Sequence, residues 1–596
     1  MNPKRRSGHA PFNIPENLVD AIWTAPKVPR GSLTSIGDCL TLLEFRTAIA
    51  HSKKDLAAGL SGLSYNMLKI VPLPVITAIH DCLTAMWVDK EIPEHHKWRW
   101  LLPIPKVASP ELTDLRPLSL VEVSRKLWAS VLMRKVSREW ARTGCLNKRQ
   151  HGFVTGKSMD EAVLEVMNTM ETAKEMQCDL YMSSWDIKRA FDRVPKQLLI
   201  FAWVRLGVPP DVAEYLVNID HGGKTVVRTL HAQETYWEGG YDSLEALCFL
   251  AQLGAGQGTV DAPLNWNAVF AILLDALATV PSDYRFHDID CLQHSTVDTA
   301  AADDLLSACG TLQALQHKAD IVSAFCIIFD LDIATTKLRT FHLQWCFGNL
   351  DLAPSDASPQ HPPDTLLVHT GRWISQSVRL ASTGVMKHLG VHWGMRYEGA
   401  TIYQLTLDNL KAAISRLRTI PCSSEIKQAV LERCIYPSLI YQMKFANWPL
   451  TKYRKLDKRV NALVKKITKF PNSFPTALIY MGKEHGGPNF KRLSDAVHIA
   501  KLSLLHRYQG PWNSTSPTAA VMCGLIGRAP RTAGLGVPPF EACSIPDTGK
   551  GWWASSLVEW LKLNGLYIES TGDIPSAAPT EDDVLRSVSH LTQDGT

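Results

Sequence analysis

Leu180–Phe191 reads LYMSSWDIKRAF, and Ser295–Gly310 reads STVDTAAADDLLSACG. The first is an apolar, aromatic run that ends on an aspartate, the pattern of a strand delivering Asp186 into a turn. The second sets Asp303 and Asp304 among small apolar residues, where isolated carboxylates are costly to bury. Two carboxylate-bearing elements side by side are a means of holding two Mg²⁺ ions ~3.5–4 Å apart, so that they clamp the attacking and leaving oxygens of an in-line phosphoryl displacement. Magnesium takes oxygen ligands, only a few of them from protein. An Asp-Asp pair standing alone is most often a helix N-cap on a solvated face, so this pair takes its meaning from its surroundings.

A second stretch, HGFVTGKS at His151–Ser158, imitates a phosphate-binding loop. Such a loop needs four residues between its glycines to wrap backbone N–H groups around a phosphate. Gly152 and Gly156 are separated by three, and the preceding LNKRQ is no buried strand. The stretch reads instead as a glycine-bearing turn followed by a helix capped by Ser158.

The bulk properties allow several domain-sized units in 596 residues, with 45% hydrophobic and 20% charged residues. A net charge of +5 does not by itself argue for nucleic acid, and the 13 cysteines show no CxxC or zinc-type spacing, which favours free thiols in a reducing, intracellular setting (nucleus, cytoplasm or both). No apolar run reaches the length of a membrane span. Residues 1–40 read as an extended, Pro-rich segment. Beyond them helical patterns interleave with strand-like ones: WLLPIPK, whose prolines suggest an edge strand or extended segment; KTVVRTLHAQETYWEGG, a hairpin; and TTKLRTFHLQW, a strand. The proline-bearing stretch 351–372 reads as a loop or insertion. Residues 401–510 are helical, and 511–596 are rich in Pro and Gly with an acidic end. The fold class expected is α+β. TKYRKLDKRVNALVKKITKF has eight Lys/Arg in 20 residues, with Leu456, Val460, Leu463 and Ile467 at helical spacing. Such a helix has a core side and a basic side suited to tracking phosphates.

In sequence order these blocks resemble the reverse transcriptases of non-LTR (LINE-type) retrotransposons. DIKRAFDRV resembles motif A, GAGQGTVDAP motif B, and AADD the Y/F-A-D-D box of motif C. Upstream, GLSGLSYNMLK resembles a G-x-DGI…LK block. LLPIPK followed by LRPLSLVEVSRKL resembles the finger motifs with a Lys and then R-P-I-S-L. QHGFVTGKS resembles Q-x-G-F-R-x-G-R-S, which assigns the Gly-Lys-Ser to a polymerase block. Downstream, TTKLRTF and HLGV resemble motifs D and E, and YMGKEHGGPNFKRL resembles the Gly-Gly segment after the thumb. The resemblance runs from about 45 to 510. It implies a right-hand polymerase: fingers and a palm with an antiparallel sheet over 41–395, a helical thumb over 396–510, and a less ordered tail over 511–596.

The resemblance also implies roles. Asp186 and Asp303 are expected to hold two Mg²⁺ ions (Mn²⁺ as a substitute), with Asp304 the lesser ligand or orienter and the Ile187 carbonyl a further ligand. Phe191 is expected beneath the sugar, selecting dNTP over rNTP. Lys106 and Arg116 grip the triphosphate, Gln257 and Gly258 lie against base and template, and Lys337 protonates the leaving pyrophosphate. Lys452, Arg454, Lys455, Lys458, Arg459, Lys465 and Lys466 contact the RNA template and DNA primer. Three departures stand out: Ala301 stands where motif C has an aromatic or aliphatic residue, Gly256 precedes Gln257, and Asp261-Ala262 precedes Pro263. With about 40 residues ahead of the polymerase blocks, no apurinic-type endonuclease is expected there. IPDTGK lacks the second acid of a nuclease core and reads as a Pro-Gly turn. The rival readings are a catalytically decayed or domesticated copy that binds RNA or DNA, and a group II intron-type maturase, against which the HGGPNF segment speaks.

Overall fold

The computed structural model describes residues 13–566, except 25–27, 107–108, 112–114, 189, 220–221, 229–247, 251–255, 257, 282–284, 288–292, 296–297, 347–348, 353–364, 372–373, 381–384, 395–399, 510–520, 523 and 527–551. Among these residues helices and small sheets mix. Five strands form one antiparallel sheet in the order Asn349–Leu352, Arg339–Cys346, Leu180–Trp185, Asp304–Cys309, Thr299–Ala301. The two strands of the opening stretches are therefore direct neighbours. Trp185 fixes their register: it pairs with Leu305, is 1% exposed, and donates its indole N–H to Ser307 Oγ at 3.2 Å. The apolar helices Ala262–Ala278 and Leu312–Ile328 carry the largest core.

A four-stranded sheet runs in the order Leu115–Leu120, Arg99–Pro105, Lys224–Val227, Cys248–Leu250. Arg99–Pro105 is not the edge strand its prolines suggest. Its N-terminal half, Arg99–Leu101, pairs with Lys224–Val227. The prolines, which have no N–H to give, lie at 103 and 105, where among the described residues Leu115–Leu120 alone flanks it. The expected hairpin after Lys224 is described only as the pairing of 224–226 with 248–250; the residues between lie outside the described set.

Three further expectations need correction. Residues 1–40 are not simply extended. Glu16–Trp23 is a helix that buries Leu18 and Ala21, and Val28, Leu33 and Ile36 join the same core. Arg205, 1% exposed, ties this helix down by donating to the Ala21 carbonyl at 2.9 Å while pairing with Asp275 at 2.6 Å. The 351–372 stretch ends in a strand, Thr365–Gly371, paired with Ile374–Arg379. The tail beyond 511 also contributes a packed piece. Trp553 is fully buried, and the helix Ser555–Leu563 adds Leu557, Trp560 and Leu561 to a core shared with Met159–Met176. Trp553 donates its indole N–H to the Lys444 carbonyl at 2.7 Å and its backbone N–H to Glu171 at 2.8 Å. The IPDTGK segment lies outside the described residues.

Candidate active site

The strand Leu180–Trp185 ends where Asp186 begins, and Asp304–Cys309 begins at the same end. Because Leu305 faces Trp185 across the ladder, Asp186 and Asp304 lie beside one another at the sheet's edge. Strands Thr299–Ala301 and Asp304–Cys309 are joined through only Ala302 and Asp303. Ala302 has φ +58°, and Asp303 does not share the positive φ, so the first central residue takes the left-handed side, as in II′-like hairpin turns. This tight turn lifts Asp303 toward Asp186.

The electrostatics report the crowding. The Asp303 carboxyl is pushed up by burial and then by the charge of Asp186, partly offset by Lys337. Asp304 is pushed up to about 6, by burial first and then by Asp303 and Asp186, although part of its side chain meets solvent. Lys337 is the cation at hand: its Nζ lies 3.1 Å from Asp186 Oδ2. The backbone holds it there. The Asp186 carbonyl accepts from Ala334 N at 2.8 Å, Ile187 pairs with Ile333, and Lys337 N donates to the Ala334 carbonyl at 2.8 Å. Among the described residues no three Asp, Glu, His or Cys side chains are gathered to enclose an ion as they stand. The donor chemistry nonetheless fits a hard divalent cation: all the candidate donors are oxygens, and like charges raise one another's pKa until a cation relieves them.

The other expected residues fall into groups. Lys106 and Arg116 are both exposed and stand at the loop end of one hairpin, where Pro105 pairs with Leu115 and Ile104 with Arg116. Gly258 sits against the same hairpin; a Cβ there would come within 2.4 Å of Leu118, and its φ is +95°. Its missing side chain therefore serves close approach to protein as well as the left-handed backbone. Gln257 lies outside the described residues. Phe191 is half-buried, its ring 5.5 Å from that of Trp266. On Leu450–Ile467, Leu456, Val460 and Leu463 are buried, while Arg454, Lys455, Lys458, Arg459 and Lys466 face solvent. Lys452 lies over the Tyr403 ring at 5.6 Å, and Lys465 donates to the Asn472 carbonyl at 2.6 Å. Those two are partly engaged within the protein.

The glycine block upstream proves to be a support. Ser158 caps Met159–Met176 in a reciprocal capping box with Glu161, and Lys157 Nζ donates to the Lys148 carbonyl. The segment Arg149–Gly152 runs beside Thr299–Ala301, with Ala300 N donating to Arg149 O at 2.9 Å and His151 N to Ala300 O at 2.8 Å. Sequence reading missed the residues of a groove of about 520 Å³, lined by Lys53, Lys126, Arg134, Phe153, Val260 and Pro263. The signal available was Phe153, a large aromatic in a glycine block. It has φ +57° and is 57% exposed.

An antiparallel sheet carries paired aspartates on a tight hairpin beside a third aspartate, the arrangement that the resemblance to polymerases led one to expect. Residues 104–392 match the family "Reverse transcriptase (RNA-dependent DNA polymerase)". The chain is 21% identical over 489 residues to a Retrovirus-related Pol polyprotein from type-1 retrotransposable element R2 of Bradysia coprophila, covering 81% of this chain and 50% of that protein. The corresponding protein of Nasonia vitripennis is 21% identical over 381 residues, covering 62% of this chain and 33% of its own length. The chain thus spans between a third and a half of these relatives. It carries a reverse transcriptase domain of the non-LTR retrotransposon kind. Among the described residues no helix is long and apolar enough to cross a membrane.

Proposed function

We propose that this chain is an RNA-directed DNA polymerase that extends a primer 3′-OH with dNTPs on an RNA template. The observation that carries the reading is the meeting of Asp186 with Asp303 and Asp304 at one end of two neighbouring strands. Two Mg²⁺ ions, held by the three carboxylates and the Ile187 carbonyl, would supply neutralisation of triphosphate charge and an acidified primer hydroxyl. The primer oxygen bonds to the α-phosphorus as the bond to pyrophosphate breaks. Lys106 and Arg116 bind the triphosphate, Arg116 suited to two-pronged phosphate contact. Phe191 packs under the sugar. Lys337, released from Asp186, hands a proton to the pyrophosphate.

The exposed cations of Leu450–Ile467 track the primer–template backbone, in the manner of a thumb helix that follows a fingers-and-palm unit. The template strand runs through the groove beside Phe153, where an open ring offers a stacking surface and Lys53, Lys126 and Arg134 meet phosphates. The protein works inside the cell, in nucleus or cytoplasm, where its template RNA resides.

Primer extension on a homopolymer RNA template with Mg²⁺ and labelled dNTP tests the reading, with Asp303→Ala alongside. Extension by the parent alone supports it. No extension by either, from folded protein that still binds primer–template, favours the decayed, binding-only copy, to which the Asp186–Lys337 pairing and Ala301 lend their weight.

A further inference from the structure

We propose that Gln150 and Trp266 are positioning residues that hold the aspartate turn in its working shape, and that Trp266 ties the turn to the ring of Phe191. The inference rests on the polymerase reading above. Its starting point is Ala302, which has φ +58°. A residue with a Cβ gives up about 1–2 kcal/mol to adopt the left-handed region. Something outside the hairpin has to secure that conformation, since the turn itself is only two residues long.

Gln150 does so by gripping both backbone polar groups of that residue. Its Oε1 accepts from Ala302 N at 2.9 Å and from Gly152 N at 2.8 Å. Its Nε2 donates to the Ala302 carbonyl at 3.2 Å. The indole N–H of Trp266 donates to the same carbonyl at 3.0 Å. Gln150 and Trp266 are each 2% exposed, so these bonds form away from competing water, where their geometry is strongly specified.

The support is itself anchored. Asp298, fully buried just ahead of Thr299–Ala301, pairs with Arg149 at 2.8 Å and Lys318 at 2.6 Å. His151 meets Glu165 at 3.1 Å. Asn267 donates to the Gly152 carbonyl at 3.0 Å. With Arg149, Gln150 and His151 fixed along the strand, the hairpin cannot slide or flatten without breaking several buried bonds. Asp303, the next residue, inherits its direction from that restraint. Trp266 also packs on Phe191 at 5.5 Å, so one side chain touches both the backbone that aims the carboxylates and the ring proposed to read the sugar.

The test uses the full chain and reads Mn²⁺ binding by electron paramagnetic resonance of the free aqueous ion, without nucleic acid or nucleotide. Asp303→Ala sets the baseline. Gln150→Met is close in size to the parent residue but makes none of the three bonds. Trp266→Phe keeps a ring and removes the donor. Hydrogen exchange of the peptide spanning Ala302 is followed in parallel.

Groups that orient metal ligands from behind shift metal affinity 10–100-fold on mutation. Gln150→Met is expected to weaken Mn²⁺ binding about tenfold and to speed exchange at Ala302, with primer–template affinity unchanged. Trp266→Phe is expected to weaken Mn²⁺ binding less and to lower discrimination of dNTP against rNTP. If Gln150→Met does not fold, Trp266→Phe carries both readouts. Parent-like Mn²⁺ binding and Ala302 exchange in the variants overturn the inference, while an extension activity lost only in Asp303→Ala leaves the polymerase reading standing. A parent that takes up no Mn²⁺ overturns the metal reading and this inference together.

Discussion

Gly152 and Gly156 stand in one short block, yet the structure gives them opposite sensitivities. A Cβ built on Gly152 would lie 2.2 Å from Ala302 N and 2.9 Å from the Ala301 carbonyl carbon. Heavy atoms not bonded to one another settle at ~3.5 Å, so Gly152→Ala forces a displacement of about 1 Å. Both neighbouring atoms are backbone, and the segment is pinned by the Asn267 and Gln150 bonds. The displacement therefore falls on the aspartate turn. Overpacking of this sort costs about 1–3 kcal/mol of stability, and misplacing a reacting group by 1 Å costs on the order of 10²-fold in rate. Gly156→Ala meets nothing within 4 Å and carries only the strain of φ +80°, about 1 kcal/mol. Steady-state primer extension with thermal unfolding as the companion measurement separates the two. Gly152→Ala is expected to fold and to lose about two orders of magnitude in rate, and Gly156→Ala to stay within a few-fold of the parent. A Gly152→Ala protein that extends primers at the parental rate would refute the claim that this block buttresses the turn.

Other perturbations probe other parts of the molecule. Replacing Arg454, Lys455, Lys458 and Arg459 with Gln leaves the buried face of their helix intact; the slope of log binding constant against log salt should become shallower by about 0.7–0.9 for each phosphate that is no longer neutralised, measured by anisotropy titration. His388 is buried and its pKa is pulled down to about 4, through burial. Both states are neutral above about 6.5. Between there and 4 the unfolded chain takes up a proton that the folded one refuses, so stability is lost as pH falls, with a slope of up to ~1.4 kcal/mol per pH unit. His388→Phe should flatten that part of the acid-unfolding profile, and an unchanged profile would contradict the burial argument. Trp553→Ala empties a fully buried indole site and frees the Lys444 carbonyl, while the backbone bond to Glu171 is kept; a loss of about 3–5 kcal/mol is expected in thermal or urea unfolding.

The parts of this fold that could be read from sequence are those whose signal is local. The run into Asp186, the cap at Ser158 and the stripe Leu456, Val460, Leu463 each follow from residues within one or two turns of each other. What was hidden depends on partners far away in the chain. Gln150 could not be seen as a brace for Ala302, because its side chain acts across 152 positions. The helix Glu16–Trp23 lies in a Pro-rich stretch and is too short to announce itself. It becomes stable by burying Leu18 and Ala21 against Ala262–Ala278 and the Arg205 guanidinium, a tertiary gain that outweighs weak local propensity. The prolines of Arg99–Pro105 mark one end of that strand rather than its place in the sheet. Lys337 was legible as a lysine near motif D, but its position over Asp186 comes from the short pairing of Ile187 with Ile333, which no periodicity reveals. That position has a chemical consequence. Asp186 is the carboxylate Lys337 neutralises, while Asp303 and Asp304 are left with raised pKa values. A divalent cation held by these aspartates would relieve the repulsion among them and compete with Lys337 for Asp186, which is how Lys337 would become available as the proposed proton donor to pyrophosphate.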